Sequence, residues 1–174
     1  ISENNWLGRG VEFVTSAEIT EETISGSIFV NNPNYNYSGN SVYSSLNVSS
    51  SDKTESSGYE STKTGFSLGT EFEQYENIFL SPSISASYEE IEVQSSASSA
   101  MKKMDGTYTN MDFAYGITVD KRNQVFQPTE GYRTKFIQSL PIVMDSSSLL
   151  NGIDVSAYHA FSEDVIGAVK FHAR

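Results

Sequence analysis

The chain contains no cysteine, which excludes disulfide bonds, thiolate metal sites and cysteine nucleophiles together. Apolar residues are also scarce: they make up 37% of the sequence, below the usual share of a globular domain. No apolar run approaches the roughly 20 residues that a membrane-spanning helix needs. Lys and Arg are few, and a formal net charge of −11 argues against a nucleic-acid partner, because phosphate binding depends on clustered cations. These absences leave too little apolar material for a conventional packed core.

What the sequence does contain is a series of strands with alternating side chains. Successive residues of a β-strand face opposite sides, and here the charged and aliphatic residues separate by position. Glu12 stands between Val11 and Phe13, and Asp112 precedes Phe113. A membrane barrel needs only one apolar face per strand. We therefore predict an all-β fold, an antiparallel up-and-down transmembrane β-barrel, of which this chain is a part with about eight full strands and incomplete ends.

The apolar face of each strand is expected to contact the hydrocarbon of the bilayer. The predicted lipid-facing residues are Phe13, Ile28, Leu46, Phe66, Leu68, Ile84, Phe113, Ile117, Val119, Phe136, Val155 and Val169. The alternation slips near Glu90, where Ile91 and Val93 carry the apolar groups. There we expect a bulge, or the point at which the strand leaves the membrane.

The connections between strands alternate in character. Those near residues 8, 36, 75, 126 and 163 are mostly tight or motif-bearing, whereas the others vary in length and include the long segment 94–106 and a predicted loop at 141–149. Short turns on one rim and variable loops on the other are typical of transmembrane barrels. The chain does not begin with Met and shows no signal peptide, so we expect an internal piece of a longer protein.

A soluble β-sandwich also alternates and is the main structural alternative. Its wet faces favour Lys and Glu, whereas the polar face here is mostly Ser, Gly, Thr and Asn, as suits a lumen crowded with its own side chains. Aromatic residues collect near strand ends, where the interfacial girdles of membrane barrels lie. These residues are Trp6, Tyr35, Tyr37, Phe72, Tyr75, Phe126, Tyr132 and Phe161.

Three short motifs occur in order along the chain. They are Asn4-Asn5-Trp6-Leu7-Gly8-Arg9-Gly10, then Val30-Asn31-Asn32-Pro33 followed by Tyr35, and finally the twelve residues from Asp120 to Gly131. The last contains a turn in which proline fixes φ and glycine can take φ > 0. In order, they resemble the N-W-L-G-x-G turn, the V-x-N-P-x-Y/F segment and the D-x-R-x(5)-P-x-x-G corner of the BamA family. That family consists of outer-membrane barrels that carry periplasmic POTRA domains.

The resemblance implies an outer-membrane assembly factor, which folds and inserts β-barrel proteins and is not an enzyme. Its implied partners are the lipid bilayer, nascent outer-membrane β-barrel proteins and accessory assembly lipoproteins, and its implied location is the bacterial outer membrane. Residues 1–174 would belong to one barrel domain. The POTRA domains, the seam between first and last strands and the V-R-G-F/Y motif would lie outside the chain. A TamA-like factor or a two-partner secretion transporter would share the D-x-R…P-x-x-G corner. A passive porin or adhesin barrel and a soluble carbohydrate-binding β-domain are further alternatives.

The motifs also supply the candidate structural residues: Trp6, Leu7, Gly8, Gly10, Asn32, Pro33, Asp120, Arg122, Phe126, Pro128 and Gly131. Asp120 and Arg122 lie two apart on one face and are expected to pair with each other or with neighbouring strands. In family terms they hold the periplasmic rim beside the POTRA attachment; the alternative is a structural turn that touches no client. Trp6 is expected either to anchor the barrel at the membrane interface or to pack in the rim.

No catalytic, cofactor-binding or metal site is predicted. His159 and His172 have no second ligand close in sequence, and no G-x-S-x-G elbow accompanies the many serines. The acidic run at 89–92 lacks calcium-loop spacing and is more typical of a solvated rim. Asn47-Val48-Ser49 matches a glycosylation sequon, which means little if the source is bacterial.

Overall fold

A computed structural model describes residues 1–145, 148–162 and 164–174, except for the side chain of Met144. Ten antiparallel strands form one sheet, and their spatial order follows the chain from β1 to β10. The strands are β1 Ser2–Trp6, β2 Val11–Ile19, β3 Thr23–Asn32, β4 Ser41–Lys53, β5 Tyr59–Tyr75, β6 Ile78–Val93, β7 Gly106–Asp120, β8 Gly131–Met144, β9 Leu150–Ser162 and β10 Val165–Ala173. Short 3-10 turns occupy Tyr35–Tyr37 and Met101–Met104. The predicted all-β, up-and-down architecture is confirmed.

No helix within the described ranges is both long and apolar enough to cross a bilayer.

The strands are held together by long antiparallel ladders. The β4–β5 register runs unbroken from Ser41 opposite Glu71 to Lys53 opposite Tyr59, and the β6–β7 register is equally regular. Over the length of these ladders, each interior strand has a neighbour on both sides with which its backbone N–H and C=O groups can pair. Within the described residues, β1 and β10 each pair with one neighbour, so the sheet is an open wall, as expected for part of a barrel.

The register sorts the side chains onto two faces, because residues directly opposite in antiparallel strands share a face. We define the apolar face by the row Thr15, Ile28, Leu46, Phe66, Ala86 and Met111. We define the polar face by the adjacent row Ser16, Ser27, Asn47, Gly65, Ser87 and Asn110. The period of two seen in the sequence thus extends coherently across neighbouring strands.

Burial shows which way the sheet curls. Among the described residues, all those that are buried lie on the polar face: Gly65, Gly69, Ile91, Asn110, Gly116, Thr118 and Gly152. On the apolar face, by contrast, Phe66 is 48% exposed and Leu68 is 44% exposed. A curled sheet shields its concave side, so the polar face is the inside of the wall. Glycine assists this curl, since a Cβ at Gly69 would fall on the ring of Tyr43.

The expected bulge near Glu90 is wrong. The β5–β6 register is unbroken from Tyr59 opposite Val93 to Gly69 opposite Ser83, so Ile91 lies on the polar face. An apolar residue is tolerated on the polar face here because other residues cover it. Ile91 is only 9% exposed, and it lines a cavity of about 310 Å3 together with Tyr59, Met101 and Met104. The apolar side chain crosses to the inner face where the 94–105 segment shields it.

The start of the predicted loop at residue 141 is also wrong, because β8 continues to Met144. Pro141 lies opposite Asp112, next to a register shift between Met111 and Asp112. Proline has no backbone N–H, and a bulge is one of the few places where a sheet accepts it. The predicted turn near residue 163 falls partly outside the described residues, because residue 163 itself is not among them.

The connections divide between two rims. Those that follow β1, β3, β5, β7 and β9 lie on one rim, which we call the motif rim because all three sequence motifs reach it. The other rim, the loop rim, carries the 20–22, 54–58 and 94–105 connections. Motif-bearing turns and variable loops are therefore segregated, as the sequence predicts.

The connection between β7 and β8 closes at Gly131. Its φ is +94°, in the region that favours glycine. A Cβ at this position would lie 2.9 Å from the Cα of Arg122 and would collide with the carbonyl oxygen of Lys121. The backbone N–H of Lys121 donates to the carbonyl of Tyr132 at 2.8 Å. The loop can return to the sheet here only because this residue has no side chain.

We expect Gly131→Ala to reduce the stability of the fold more than Gly39→Ala. Gly39 also has a positive φ, +77°, but a Cβ there would meet nothing within 4 Å. Both changes incur the roughly 1 kcal/mol cost of a left-handed alanine, whereas only Gly131→Ala adds a backbone collision. Urea unfolding of the refolded protein in detergent measures the difference. Equal midpoints for the two variants would contradict the requirement for glycine at Gly131.

Candidate functional site

The 121–130 loop at the motif rim is organised by a forked ion pair. Arg122 Nε donates to Asp120 Oδ1 at 2.8 Å and Nη2 donates to Oδ2 at 2.6 Å. The two side chains are 14% and 20% exposed respectively. Arg133 Nε lies 3.8 Å from the same carboxylate, so Asp120 links the loop to the start of β8. Two parallel N–H···O bonds fix orientation as well as charge, which makes this pair the rigid corner of the loop.

The protonation of Arg122 is secured by this environment. Hydrogen bonding to Asp120 raises the pKa of the Arg122 guanidinium, against the opposing effect of partial burial, and Tyr158 contributes in the same direction. Arg122 Nη1 also donates to the carbonyl of Val125 at 3.3 Å. One side chain therefore connects the end of β7, the middle of the loop and β9.

Asn123 closes the loop from the other side. Its Oδ1 accepts from the backbone N–H groups of Thr129 and Glu130 at 3.1 and 3.2 Å, and its Nδ2 donates to Thr129 Oγ1 at 2.6 Å. Its own backbone N–H donates to the Glu130 carbonyl at 3.1 Å. A side-chain amide that replaces backbone ladder bonds is a common way to stabilise a tight connection. Asn123 occupies an unspecified position of the D-x-R-x(5)-P-x-x-G motif, so the motif alone did not identify it as a structural residue.

The tip of this loop presents large apolar side chains. Val125 and Phe126 are 80% and 79% exposed, while Pro128 is half-buried. The same loop contains Gln127 at a φ of +51°. Phe126 therefore does not pack within the described chain, and its exposure at the rim suits contact with an interface or a partner.

The first motif forms the turn between β1 and β2. Asn5 Oδ1 accepts from the backbone N–H of Gly10 at 2.6 Å, and Leu7, Gly8 and Gly10 all have positive φ. Trp6 is 42% exposed, and its ring lies 4.6 Å from that of Phe13, centroid to centroid. Trp6 thus packs partly on the apolar face and keeps part of its indole outside, so the geometry leaves room for both roles expected of it.

The second motif ends β3 at the same rim. Asn32 is the last residue of the strand, and its Oδ1 accepts from the backbone N–H of Asn34 at 3.1 Å. Pro33 follows and begins the connection, which the Tyr35 N–H closes by donating to the carbonyl of Asn40 at 2.8 Å. All three motifs are therefore turn-forming, and they line one rim although more than a hundred residues of sequence separate the first from the last.

The twelve residues predicted to face lipid all lie on the apolar face. The register places Ile28 opposite Leu46 and Leu46 opposite Phe66, and it places Ile117 opposite Phe136. Their exposure ranges from half-buried Phe13 and Val119 to 72% for Val169. That they contact lipid stays a prediction, because the structure contains no bilayer.

One polar row crosses the apolar face. The Tyr115 hydroxyl donates to Gln138 Oε1 at 2.7 Å, and Gln138 Nε2 donates to Asn151 Oδ1 at 2.6 Å. The three residues belong to β7, β8 and β9. Sequence reasoning did not identify this row, although a Gln and an Asn at positions with apolar parity were a usable signal. The mutual hydrogen bonds reduce the cost of polar groups on an apolar surface.

The histidines and the acidic run have structural partners. His172 contacts the Asp154 carboxylate across β9–β10, and the ring of His159 stands edge-on to Phe161. Lys63 Nζ lies 3.2 Å from Glu89 Oε2. Within the described part of the chain, no group of three or more His, Asp and Glu side chains is arranged to hold a metal ion. What the arrangement offers chemically is one apolar surface, one polar surface and a rigid rim.

Comparison with known proteins agrees with this architecture. A family model described as the Omp85 superfamily domain matches residues 5–173. The fold is similar to that of a solved structure, the crystal structure of BamA from Haemophilus ducreyi lacking POTRA domains 1-3, with a TM-score of 0.61 and 14% sequence identity. The match covers 98% of this chain and 37% of that chain. No curated protein sequence matches. The chain belongs to the Omp85 superfamily, whose members are outer-membrane barrels that assemble or transport proteins.

Proposed function

We propose that residues 1–174 are part of one transmembrane barrel domain in an outer-membrane assembly factor, which folds β-barrel proteins and inserts them into the membrane. The observation that carries the proposal is the Omp85 match over residues 5–173. The chain spans 37% of the BamA chain whose fold it shares. The activity of the whole protein is therefore a proposal.

In this proposal the apolar face contacts the hydrocarbon of the bilayer and the polar face lines the lumen. Large apolar side chains on the convex side and small polar ones on the concave side support that orientation. The motif rim is proposed to be periplasmic, with the Asp120–Arg122 corner beside the POTRA attachment. Exposed rim aromatics favour an interfacial position, and they include Tyr37 at 93%, Tyr75 at 68% and Phe161 at 72% exposure.

The proposed mechanism follows from the high cost of unpaired backbone groups in lipid. A strand cannot enter hydrocarbon with unpaired backbone N–H and C=O groups. A barrel that opens at a seam offers an edge with which an incoming strand can pair. The long ladders of β3 to β7, in which the one register shift lies between Glu73 and Tyr75 at the end of β5, suit a wall that stays closed while another part of the barrel opens. Its role would be to hold the barrel's shape and the geometry of the surrounding lipid.

The proposed partners are the bilayer, nascent outer-membrane β-barrel proteins and accessory assembly lipoproteins. A two-partner secretion transporter or a TamA-like factor is the second candidate, favoured by the same Asp120 to Gly131 corner. No separate observation favours a passive porin.

We expect Ile84→Arg to impair membrane assembly more than Ser85→Arg. These neighbours in β6 lie on opposite faces, with Ile84 opposite Phe113 and Ser85 opposite Asp112. An Arg on the lipid side near the bilayer centre costs about 2–4 kcal/mol, whereas an Arg at Ser85 would face the lumen beside a carboxylate. Heat-modifiable mobility of the two variants in outer-membrane fractions measures assembly. Equal tolerance at the two positions would reject the assignment of faces.

The function itself is tested by reconstitution of the full-length protein in liposomes. A urea-denatured client barrel is diluted into these vesicles, and its folding is followed by resistance to heat in gel electrophoresis. We expect the client to fold several-fold faster than with vesicles that carry a passive porin at equal density, since the porin controls for defects in lipid packing. Folding at the porin rate, together with export of a partner polypeptide, would assign the protein to the transporters instead.

A further inference from the structure

Cations collect on one part of the polar face although the chain as a whole is acidic. Six of the 11 Lys and Arg residues lie on or beside β7 to β10. Apart from Lys121, which has the parity of the apolar face, they are Arg122, Arg133, Lys135, Lys170 and Arg174. We call this region the cationic wall. It was not predicted from the sequence, because its members come from four separate stretches and only the strand register brings them together.

Two rows of the register form the wall. The first runs from Asp120 through Arg133 and Ser156 to Lys170. The second runs from Thr118 through Lys135 and Asp154 to His172. Arg174 joins them, because its Cγ would lie 3.4 Å from a Cβ at Gly152. All these positions are on the polar face, opposite the proposed lipid surface.

The carboxylates in these rows do not balance the cations. Asp120 is bound by the Arg122 fork and approached by Arg133, and Asp154 contacts His172. Glu71 of β5 lines a neighbouring cavity together with Asp120, Arg122 and Arg133, so its carboxylate is counted with the cationic wall. Five cations against three carboxylates leave the cationic wall with a formal excess of two positive charges, with histidine neutral. None of the ion pairs between described residues includes Lys170.

The rest of the polar face has the opposite sign. Elsewhere on β2 to β6 it carries four carboxylates, from Glu12, Glu18, Glu73 and Glu89, and two lysines, Lys53 and Lys63. The local charge therefore reverses along one continuous surface. A field of one sign, focused on a concave wall, attracts groups of the opposite sign.

The cationic wall also contains a space for a ligand. A cavity of about 360 Å3 is lined by Arg122, Arg133, Asp154, Ser156, Tyr158, Lys170 and His172, among others. Guanidinium, ammonium and hydroxyl groups together are the donors that bind carboxylates. The volume is sufficient for one or two side chains of a polypeptide.

We propose that the cationic wall binds an acidic polypeptide segment in the lumen, with Lys135 and Lys170 contributing positive charge at and beside the cavity. A polypeptide is favoured over a lipid anion because the wall lies on the concave face, away from the side offered to lipid. The proposal requires the polar face to line an accessible lumen. It does not require the insertase activity, and its test reads binding rather than client folding.

The test uses the full-length protein in neutral detergent and a fluorescein-labelled peptide of ten glutamates, followed by fluorescence anisotropy. The native protein is expected to bind the peptide, with an affinity that falls as salt rises. The double variant K135Q/K170Q should bind about tenfold more weakly, as expected for two lost part-exposed ion pairs. The control K53Q/K63Q removes the same charge from the β4–β5 part of the polar face, where Lys63 is already paired with Glu89, and should lose much less affinity than K135Q/K170Q.

Several results would overturn the proposal. Absence of binding by the native protein would do so, as would an equal loss of affinity in the two double variants. Binding of short-chain phosphatidylglycerol at this wall, with no binding of the glutamate peptide, would reassign it to a lipid anion. Affinity for the glutamate peptide that stayed unchanged as salt rose would show that the contact is not electrostatic.

Discussion

Pairing of the backbone is the constraint on which this structure depends. In hydrocarbon an unpaired N–H or C=O group costs several kcal/mol, so a membrane wall made of strands must satisfy each strand from its neighbours. Here consecutive strands are joined in strict order, and the longest ladders run through more than a dozen residue pairs without a break. The irregularities are few: register shifts occur in β1–β2, β5–β6, β7–β8 and β9–β10.

Once the pairing of the strands is set, the alternation of side chains along each strand determines the face on which each residue lies. A slip of one residue would turn every side chain to the other face, so the apolar and polar rows also enforce the register. The inner side can curl because it is built from small residues; Ser45 and Ser67 share a hydrogen bond of 2.8 Å across two strands. At the motif rim, the Asp120–Arg122 fork and the Asn123 clamp fix where β7 ends and β8 begins. The wall and its rim are therefore parts of one arrangement.

Much of this could be read from the sequence, and the reasons for the failures are physical. The faces, the strand order and the rim of the three motifs follow from local alternation and turn chemistry, which neighbouring residues determine. The bulge expected near Glu90 was wrong because Ile91 is covered by a segment that begins several residues later. The extension of β8 past Pro141 was missed because its bulge depends on the partner strand. The Tyr115–Gln138–Asn151 row and the cationic wall depend on register between strands, which no single strand encodes.

Site-specific labelling can show whether the apolar face contacts lipid and the polar face does not. The chain has no cysteine, so single cysteines at Phe66, Ser67 and Leu68 in β5 can each carry an environment-sensitive fluorophore in the reconstituted full-length protein. Lipids with brominated acyl chains then report contact with hydrocarbon. We expect strong quenching at positions 66 and 68 and weak quenching at position 67. Strongest quenching at position 67, or equal quenching at all three, would contradict it.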